Sequence, residues 1–359
     1  MMSSWTQFLA ARGASIEDDT VVRFSSSTDE LAAARDAAIV CDLTPLATIG
    51  ISGADAATFL QGQFTNDIEA LSAGSAQYSA WCSPKGRILA NFLLLRTGDA
   101  TFEMLLPSSL SVAIRKRLSM FVLRSKVVIE DTSGERVRVG IAGPASATAL
   151  RAAAVDAPPL FRWRAIDGGL IVSVPGGRYI ALVHEGAAKS LWASLSEAAR
   201  PVGFAVWQWL TVRAGIPVIT AATTDQLVPQ MANWDALEGV SFRKGCYTGQ
   251  EIVARTQYLG RLKERTYLAH IETSPPAAGD KLYSVAFGEQ SCGVVLNAAA
   301  APGGGSDLVA ALQIAAAQSG DVRIGSPQGM TLDLLTLPYP VPGGGTAPAA
   351  EGPSRGRTA

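Results

Sequence analysis

An α+β fold followed by a small β-barrel is what this 359-residue chain predicts. Strand-like runs come in clusters with helices between them instead of in strict βαβα alternation, which is the mark of an α+β arrangement. After residue 260 the texture changes to short strands broken by turn residues, with no convincing helix, as in a barrel or sandwich of about 75 residues. The length exceeds one ordinary core and calls for two or three domains of about 100 to 200 residues. We expect residues 1–258 to form an α+β domain, as one unit or as two interleaved subdomains, 259–337 to form the barrel, and 338–359 to be a disordered tail.

Taken in order, residues 53–61 (GADAATFLQ) read as a short helix with Ala56, Phe59 and Leu60 on one face, and 63–67 as the polar loop after it. Two strand-like runs, 75–83 and 87–96, flank Pro84-Lys85-Gly86 and predict a hairpin whose turn carries Lys85 and Arg87. A strand at 102–106 ends at Pro107 and leads into a helix over 109–121. Strands at 126–130 and 136–142, a helix at 145–154, strands at 169–174 and 179–183, and helices at 186–199 and 203–214 continue the pattern. Beyond residue 260 the expected strands are 265–271, 281–283, 292–297 and 306–313. The stretch from Pro338 onward is rich in Pro, Gly and Ala and lacks core-forming residues, hence the disordered tail. No internal repeat stands out.

Composition excludes several function classes. Lys and Arg number 30 against 31 Asp and Glu, so the net charge of −1 demands neither nucleic acid nor an anionic membrane, and any polyanion site must be a local patch. The N-terminal residues show no basic segment before an apolar core, and no stretch reaches about 18 apolar residues, which predicts a soluble protein of a reducing cytoplasm with no membrane partner. The four cysteines (Cys41, Cys82, Cys246, Cys292) stand singly with no C-x-x-C, against a zinc site or a chain-held iron–sulfur cluster. The two histidines, His184 and His270, both fall in strand-like surroundings and read as packed strand residues. No G-x-S-x-G, Walker A or G-x-G-x-x-G after a strand is present.

The segment Lys244-Gly245-Cys246-Tyr247-Thr248-Gly249-Gln250-Glu251 is the most informative. It puts a thiol between two glycines, with an ammonium two residues upstream and a carboxylate five downstream. Cysteines are mostly small buried hydrophobes. Here the setting is polar and glycine-flanked, and a neighbouring cation favours the reactive thiolate, so Cys246 is the candidate nucleophile with Arg243 and Lys244 lowering its pKa and Glu251 orienting the loop. Cys82, next to the 84–87 turn, is a candidate resolving partner. Arg115, Lys116, Arg117, Arg124 and Lys126 cluster around the end of a helix. They are either a solvated face or, with Lys85, Arg87, Lys244, Arg261, Lys263 and Arg265, a positive cleft for a carboxylate tail or an RNA backbone.

Six segments in order, F-L-Q-G-x-x-T-N-D at 59–67, P-K-G-R at 84–87, L-R-S-K-V at 123–127, R-x-x-G-I-P at 213–217, N-x-D at 233–235 and K-G-C-Y-x-G-Q-E at 244–251, make the chain resemble the YgfZ family of folate-binding proteins. That family is related to the T-protein (aminomethyltransferase) of the glycine cleavage system and to mitochondrial iron–sulfur assembly factors. The resemblance runs from about residue 40 to 330 and implies a ferredoxin-like folate-binding domain with a central hole and a T-protein-like C-terminal barrel. It further implies tetrahydrofolate or a derivative as cofactor, and iron–sulfur enzymes and assembly proteins as partners, including enzymes that methylthiolate tRNA, with tRNA itself an indirect partner. Trp81 and Trp234 are then the expected pteridine-facing aromatics, with Lys85, Arg87 or Arg124 meeting the glutamate tail and Arg213, Asp235 and Tyr247 completing the cofactor site. The T-protein hairpin carries a catalytic aspartate where this chain has Ala90-Asn91, and the family cysteine is absent from T-proteins. Three readings stay open: an accessory protein of iron–sulfur assembly or repair with Cys246 as working thiolate, a folate-dependent one-carbon transferase or demethylase, and an RNA-binding module without catalysis.

Overall fold

The computed structural model describes residues 3–260 and 262–342. The chain opens with α1 (Ser4–Ala10), the hairpin β1 (Ser15–Glu17) and β2 (Thr20–Arg23), α2 (Ser27–Asp36) and β3 (Ile39–Asp42). A run of β4 (Leu46–Ser52), α3 (Ala56–Gln61), β5 (Ser75–Cys82), β6 (Ile88–Gly98), β7 (Thr101–Pro107), α4 (Ser108–Ser119) and β8 (Val128–Asp131) follows. The same succession then recurs as β9 (Val137–Ala142), α5 (Ser146–Ala152), β10 (Trp163–Ile166), β11 (Gly169–Val174), β12 (Arg178–Val183), α6 (Glu185–Ser196) and β13 (Arg200–Val202). The first sheet has the order β5-β6-β7-β4-β8 and the second β10-β11-β12-β9-β3-β13.

The molecule therefore contains a repeat that composition did not reveal. Its one clear trace in the sequence is the strand–turn–helix 49–60 (IGISGADAATFL) against 139–150 (VGIAGPASATAL). In both, a glycine with positive φ closes the strand, and a β-carbon on it would collide with a backbone carbonyl: Gly53 with Lys126 O at 2.0 Å, Gly143 with Ala37 O at 2.1 Å. Lys126 leads into β8 and Ala37 into β3, so β3 occupies in the second sheet the place β8 holds in the first, antiparallel to β9 as β8 is to β4. The second half thus takes a strand from ahead of the first half, and the two halves interleave.

Both sheets are covered on two faces, which is why residues 88–95 of β6 read as a nearly unbroken apolar run with Asn91 as the lone polar residue among them. An outer core joins the first sheet to α3 and α4, and another joins the second sheet to α1, α5 and α6. The inner core is shared by Leu93, Val172 and Leu182 of the two sheets, Trp207 of α7 (Phe204–Arg213), and Leu268 and Leu296 of a third sheet.

After α7 an irregular stretch leads to α8 (Gln250–Tyr258), and then come β14 (Glu264–Ile271), β15 (Lys281–Tyr283), β16 (Ser291–Ala300), β17 (Ser306–Gln313), α9 (Ile314–Ser319), β18 (Arg323–Ile324) and β19 (Asp333–Leu335). These strands form a curled antiparallel sheet, β18-β15-β16-β17-β14-β19, whose ends approach through an isolated bridge between Arg323 and Thr331. The third sheet is fastened to α7 by Asp307, which accepts from Trp209 Nε1 at 2.8 Å and pairs with His270 Nδ1 at 2.8 Å.

Three expectations need correction. The region after 260 does contain a helix, α9, whose Ala316 and Ala317 fill the interior of the third sheet. Residues 250–258, for which no helix was expected, form α8, because the left-handed Gly249 (φ +83°) turns the chain into it. The first five residues of the expected disordered tail are docked: Tyr339 packs on the inner core and its hydroxyl donates to Gly215 O at 2.6 Å, while Pro342 O accepts from Arg265 at 3.0 Å. The rest of that tail, 343–359, lies outside the described residues, as does Arg261.

The glycine lock between the halves is testable. Gly143→Ala places a side chain at φ +94° and drives it into Ala37 O, so it should destabilise by about 2 kcal/mol or more in urea unfolding. Gly13→Ala has the same backbone strain (φ +93°) but open space, and should cost no more than about 1 kcal/mol. Equal costs for the two would refute the carbonyl contact as the cause.

Candidate functional site

The motif segments meet in two places, a surface arch that carries Cys246 and a central cavity. At the arch, the Lys244 ammonium is buried and donates to Gln61 O at 2.7 Å, Phe64 O at 2.6 Å and Asn66 O at 2.9 Å. The 61–67 loop is held open for it by its own side chains: Gln61 bonds Asp67 Oδ1 and Ile68 N, Thr65 Oγ1 donates to Gly239 O, and Asn66 Nδ2 donates to Tyr78 O and Glu238 O. Burial lowers the Lys244 pKa to about 8, opposed by the nearby carboxylates of Asp67 and Glu69. The ammonium also sits 5.1 Å from the centre of the buried Tyr247 ring.

The other end of the arch is wedged. A β-carbon on Gly249 would lie 2.4 Å from Ser83 O and 2.9 Å from Gly86 Cα, and one on Gly86 would lie 2.8 Å from Ile252 Cβ. These two glycines let the tip of the β5–β6 hairpin rest on the start of α8, a close approach only glycine permits. Between the fixed ends stands Cys246, exposed, whereas Cys41, Cys82 and Cys292 are buried.

The sequence reading of this cluster changes in several respects. Lys244 is not a free cation beside the thiol, because its three protons are committed to carbonyls on the 61–67 loop. Cys82 is sealed in the inner core, where burial pushes its thiol well above the ordinary range and keeps it protonated, contrary to a thiolate resolving role. Glu251 stands exposed in the first turn of α8, a position that suits the helix dipole, and its side chain makes no hydrogen bond to the arch. Lys85 is exposed at the hairpin tip, and Arg87 beside it donates to Gln226 O.

The central cavity, about 460 Å³, opens where the two interleaved sheets, α7 and the third sheet converge. That volume is in the ordinary range for small-molecule sites. Of the expected cofactor residues, Trp234 lines it, tilted against Tyr78 at 5.2 Å between ring centres. Trp81 does not: its side chain points into the outer core of the first sheet, edge-on to Phe121 with Arg117 over its ring. Asp235 is a fastening residue, in a buried two-pronged pair with Arg265 at 2.6 and 3.0 Å. Arg213, at the end of α7, lies 3.6 Å from Asp307, and Arg124 is exposed after α4; neither lines the cavity.

Two cavity residues were missed or only half seen. Arg178, at the start of β12 after Gly176-Gly177, was not singled out in the sequence, yet it is 3% exposed and lines the cavity. Asn91, visible in sequence as the replacement for an aspartate, has both amide atoms in use: Nδ2 donates to Pro217 O at 2.7 Å, and Oδ1 accepts from Ile219 N at 2.9 Å. A carboxylate there would set a negative oxygen against the Pro217 carbonyl, so the amide is required by the wall it holds. Among the described residues no Asp or Glu lines the cavity.

The lysine clamp can be tested directly. Lys244→Met takes the ammonium donor from three loop carbonyls, the buried Phe64 O among them, and should cost about 3 kcal/mol in urea unfolding. It should also raise amide hydrogen exchange in residues 61–67, and unchanged exchange there would refute the clamp.

Comparison with known proteins agrees with this geometry. Residues 4–175 match the GCVT N-terminal domain model. The chain is 34% identical to the tRNA-modifying protein YgfZ of Yersinia pestis (strain Pestoides F), across 82% of this chain and 90% of that one. It is also 34% identical to the YgfZ of Serratia proteamaculans (strain 568), across 70% and 78%. The crystal structure of glycine cleavage system aminomethyltransferase T from Bartonella henselae superposes with a TM-score of 0.76 over 92% of this chain and 96% of that one, at 18% identity, which shows a common fold. On the strength of its likeness to the YgfZ proteins across most of both lengths, this chain belongs to the YgfZ family, built on the aminomethyltransferase T fold.

Proposed function

We propose that this protein is a folate-binding accessory factor of iron–sulfur metabolism that supports iron–sulfur enzymes, including those that methylthiolate tRNA. Tetrahydrofolate or a derivative binds in the central cavity, and Cys246 acts at the surface as the working thiol. The observation that carries the folate reading is the cavity, of ligand size and walled by Tyr78 and Trp234, whose flat faces suit a pteridine. Family membership supports the tRNA side of this reading, since the relatives are named tRNA-modifying proteins. No membrane partner enters this reading; among the described residues no helix is long and apolar enough to cross a membrane.

Aminomethyl transfer fits the same cavity less well. Moving a one-carbon unit to folate needs an acid/base or charge-stabilising group at the reacting atoms. Asn91 is neutral and both of its amide atoms are occupied by backbone, and among the described residues no carboxylate lines the cavity to replace it. This favours folate as a bound effector or co-reactant of a thiol-dependent step over a transferase mechanism. A thiol presented on a rigid arch suits transient capture of iron or sulfur, because a resident cluster takes about four protein ligands and no group of His, Cys, Asp and Glu among the described residues is placed to hold a metal. The tRNA connection then runs through the client enzymes, although the basic residues around the end of α4 are a surface on which direct tRNA binding can be tested.

Tetrahydrofolate at about a hundredfold excess over its Kd should stabilise the protein by about 2.7 kcal/mol and raise Tm by several degrees. Stabilisation by tRNA alone, with none by any folate, would sink the folate reading. Iodoacetamide at neutral pH should alkylate Cys246 ahead of the three buried thiols. In cells, Cys246→Ala should lower the activity of an iron–sulfur tRNA methylthiolase while leaving Tm within about 1 °C of the parent, since an exposed side chain contributes little to stability. Full activity of that variant would remove the thiol from the mechanism.

A further inference from the structure

Among the described residues, the buried cation Arg178 has no counter-ion. Its Nε donates to Pro175 O at 2.9 Å and Nη1 to Thr211 Oγ1 at 2.6 Å, and its guanidinium lies 5.1 Å from the centre of the Trp207 ring. Nη2 makes no hydrogen bond among the described residues, and the side chain lines the cavity. Other buried cations of the chain are compensated: Arg265 by Asp235, Lys244 by three carbonyls, and Arg138 by the fields of Asp42, Glu103 and Asp131. The neighbouring Tyr78 phenol is no counter-ion, because burial pushes its pKa up to about 12 and it is neutral at pH 7.

Burial lowers the Arg178 pKa, but a guanidinium starts so high that it keeps its charge. An unpaired charge in an apolar interior is costly, and proteins meet that cost by pairing or by ligand binding. With no Asp or Glu among the described residues of the cavity wall, the pairing group is expected to arrive with the ligand. If the ligand is a folate, as proposed above, its pteridine and aminobenzoyl parts are neutral at pH 7 and its negative charge is confined to the glutamate carboxylates. We propose that Arg178 receives a glutamate carboxylate of the folate, through the forked geometry that makes arginine–carboxylate contacts strong. This moves the tail-binding role from the exposed Lys85, Arg87 and Arg124 to a cation inside the cavity.

The test compares 5-formyltetrahydrofolate with the same compound amidated at both glutamate carboxylates, with affinities read from quenching of intrinsic tryptophan fluorescence. The parent protein should bind the acid at least tenfold more tightly than the diamide. Arg178→Met should weaken the acid to the diamide's level and leave the diamide unchanged, and Arg178→Lys should keep part of the preference. Equal binding of acid and diamide by the parent protein overturns the proposal whatever the variants do. So does Arg178→Met that weakens both compounds alike, which would mark Arg178 as a contact to the neutral part of the ligand or as a residue of the fold. Failure of the parent protein to bind either compound removes the folate reading itself, and this proposal with it.

Discussion

Everything at the surface site hangs on the buried ammonium of Lys244. An ammonium inside a protein is tolerated only when its protons are taken up, and here the acceptors are three carbonyls of one loop, Gln61, Phe64 and Asn66. The loop has to present those oxygens to a common point, which is why Gln61, Thr65, Asn66 and Asp67 spend their side chains on local and cross-loop hydrogen bonds. Once the clamp is closed, one end of the 245–248 arch cannot move. The other end is pinned by the contact of Gly249 with the hairpin tip at Gly86. Cys246 is thereby held at the surface by backbone constraints on both sides, with no hydrogen bond of its own needed.

The cavity obeys a different constraint. It lies where two interleaved sheets and the curled third sheet meet, and each contributes wall: Asn91 and Tyr78 from the first, Arg178 from the second, Asn297 from the third. Asn91 and Asn297 tie the 216–219 segment across the opening through their amides. A polar wall made of amides committed to backbone is structurally useful and chemically quiet, which separates this site from one that moves protons. Arg178 is the exception, the one charged side chain on that wall among the described residues.

Sequence reasoning read the larger elements well because their signals are local. The apolar runs of β5 and β6 around Pro84-Lys85-Gly86, the amphipathic spacing of α4, and the short alternating strands after 260 each carry their own periodicity. The helix at 250–258 was hidden because it begins at a left-handed glycine inside a polar motif, without a capping side chain. Tyr339 looked like part of a featureless tail, since its place against Gly215 depends on a partner more than a hundred residues away in the chain. The duplication was masked because only the strand–turn–helix around Gly53 and Gly143 keeps a visible likeness, while the remaining strands share only their order in the sheet.

By itself the sequence determined the class of fold, the order of its segments, the family motifs and the identity of the one cysteine set in a polar, glycine-flanked stretch. What only the tertiary structure decided is the work those residues do: Lys244 as a clamp and not a neighbour to the thiol, Trp81 as core and Trp234 as cavity wall, Asp235 as a fastening for Arg265, and Arg178 as a charge left open to the cavity. The physical reason is that burial and charge pairing are properties of segments brought together from far apart, Arg178 with Tyr78 and Lys244 with Phe64, and no local pattern of spacing encodes which of them will meet.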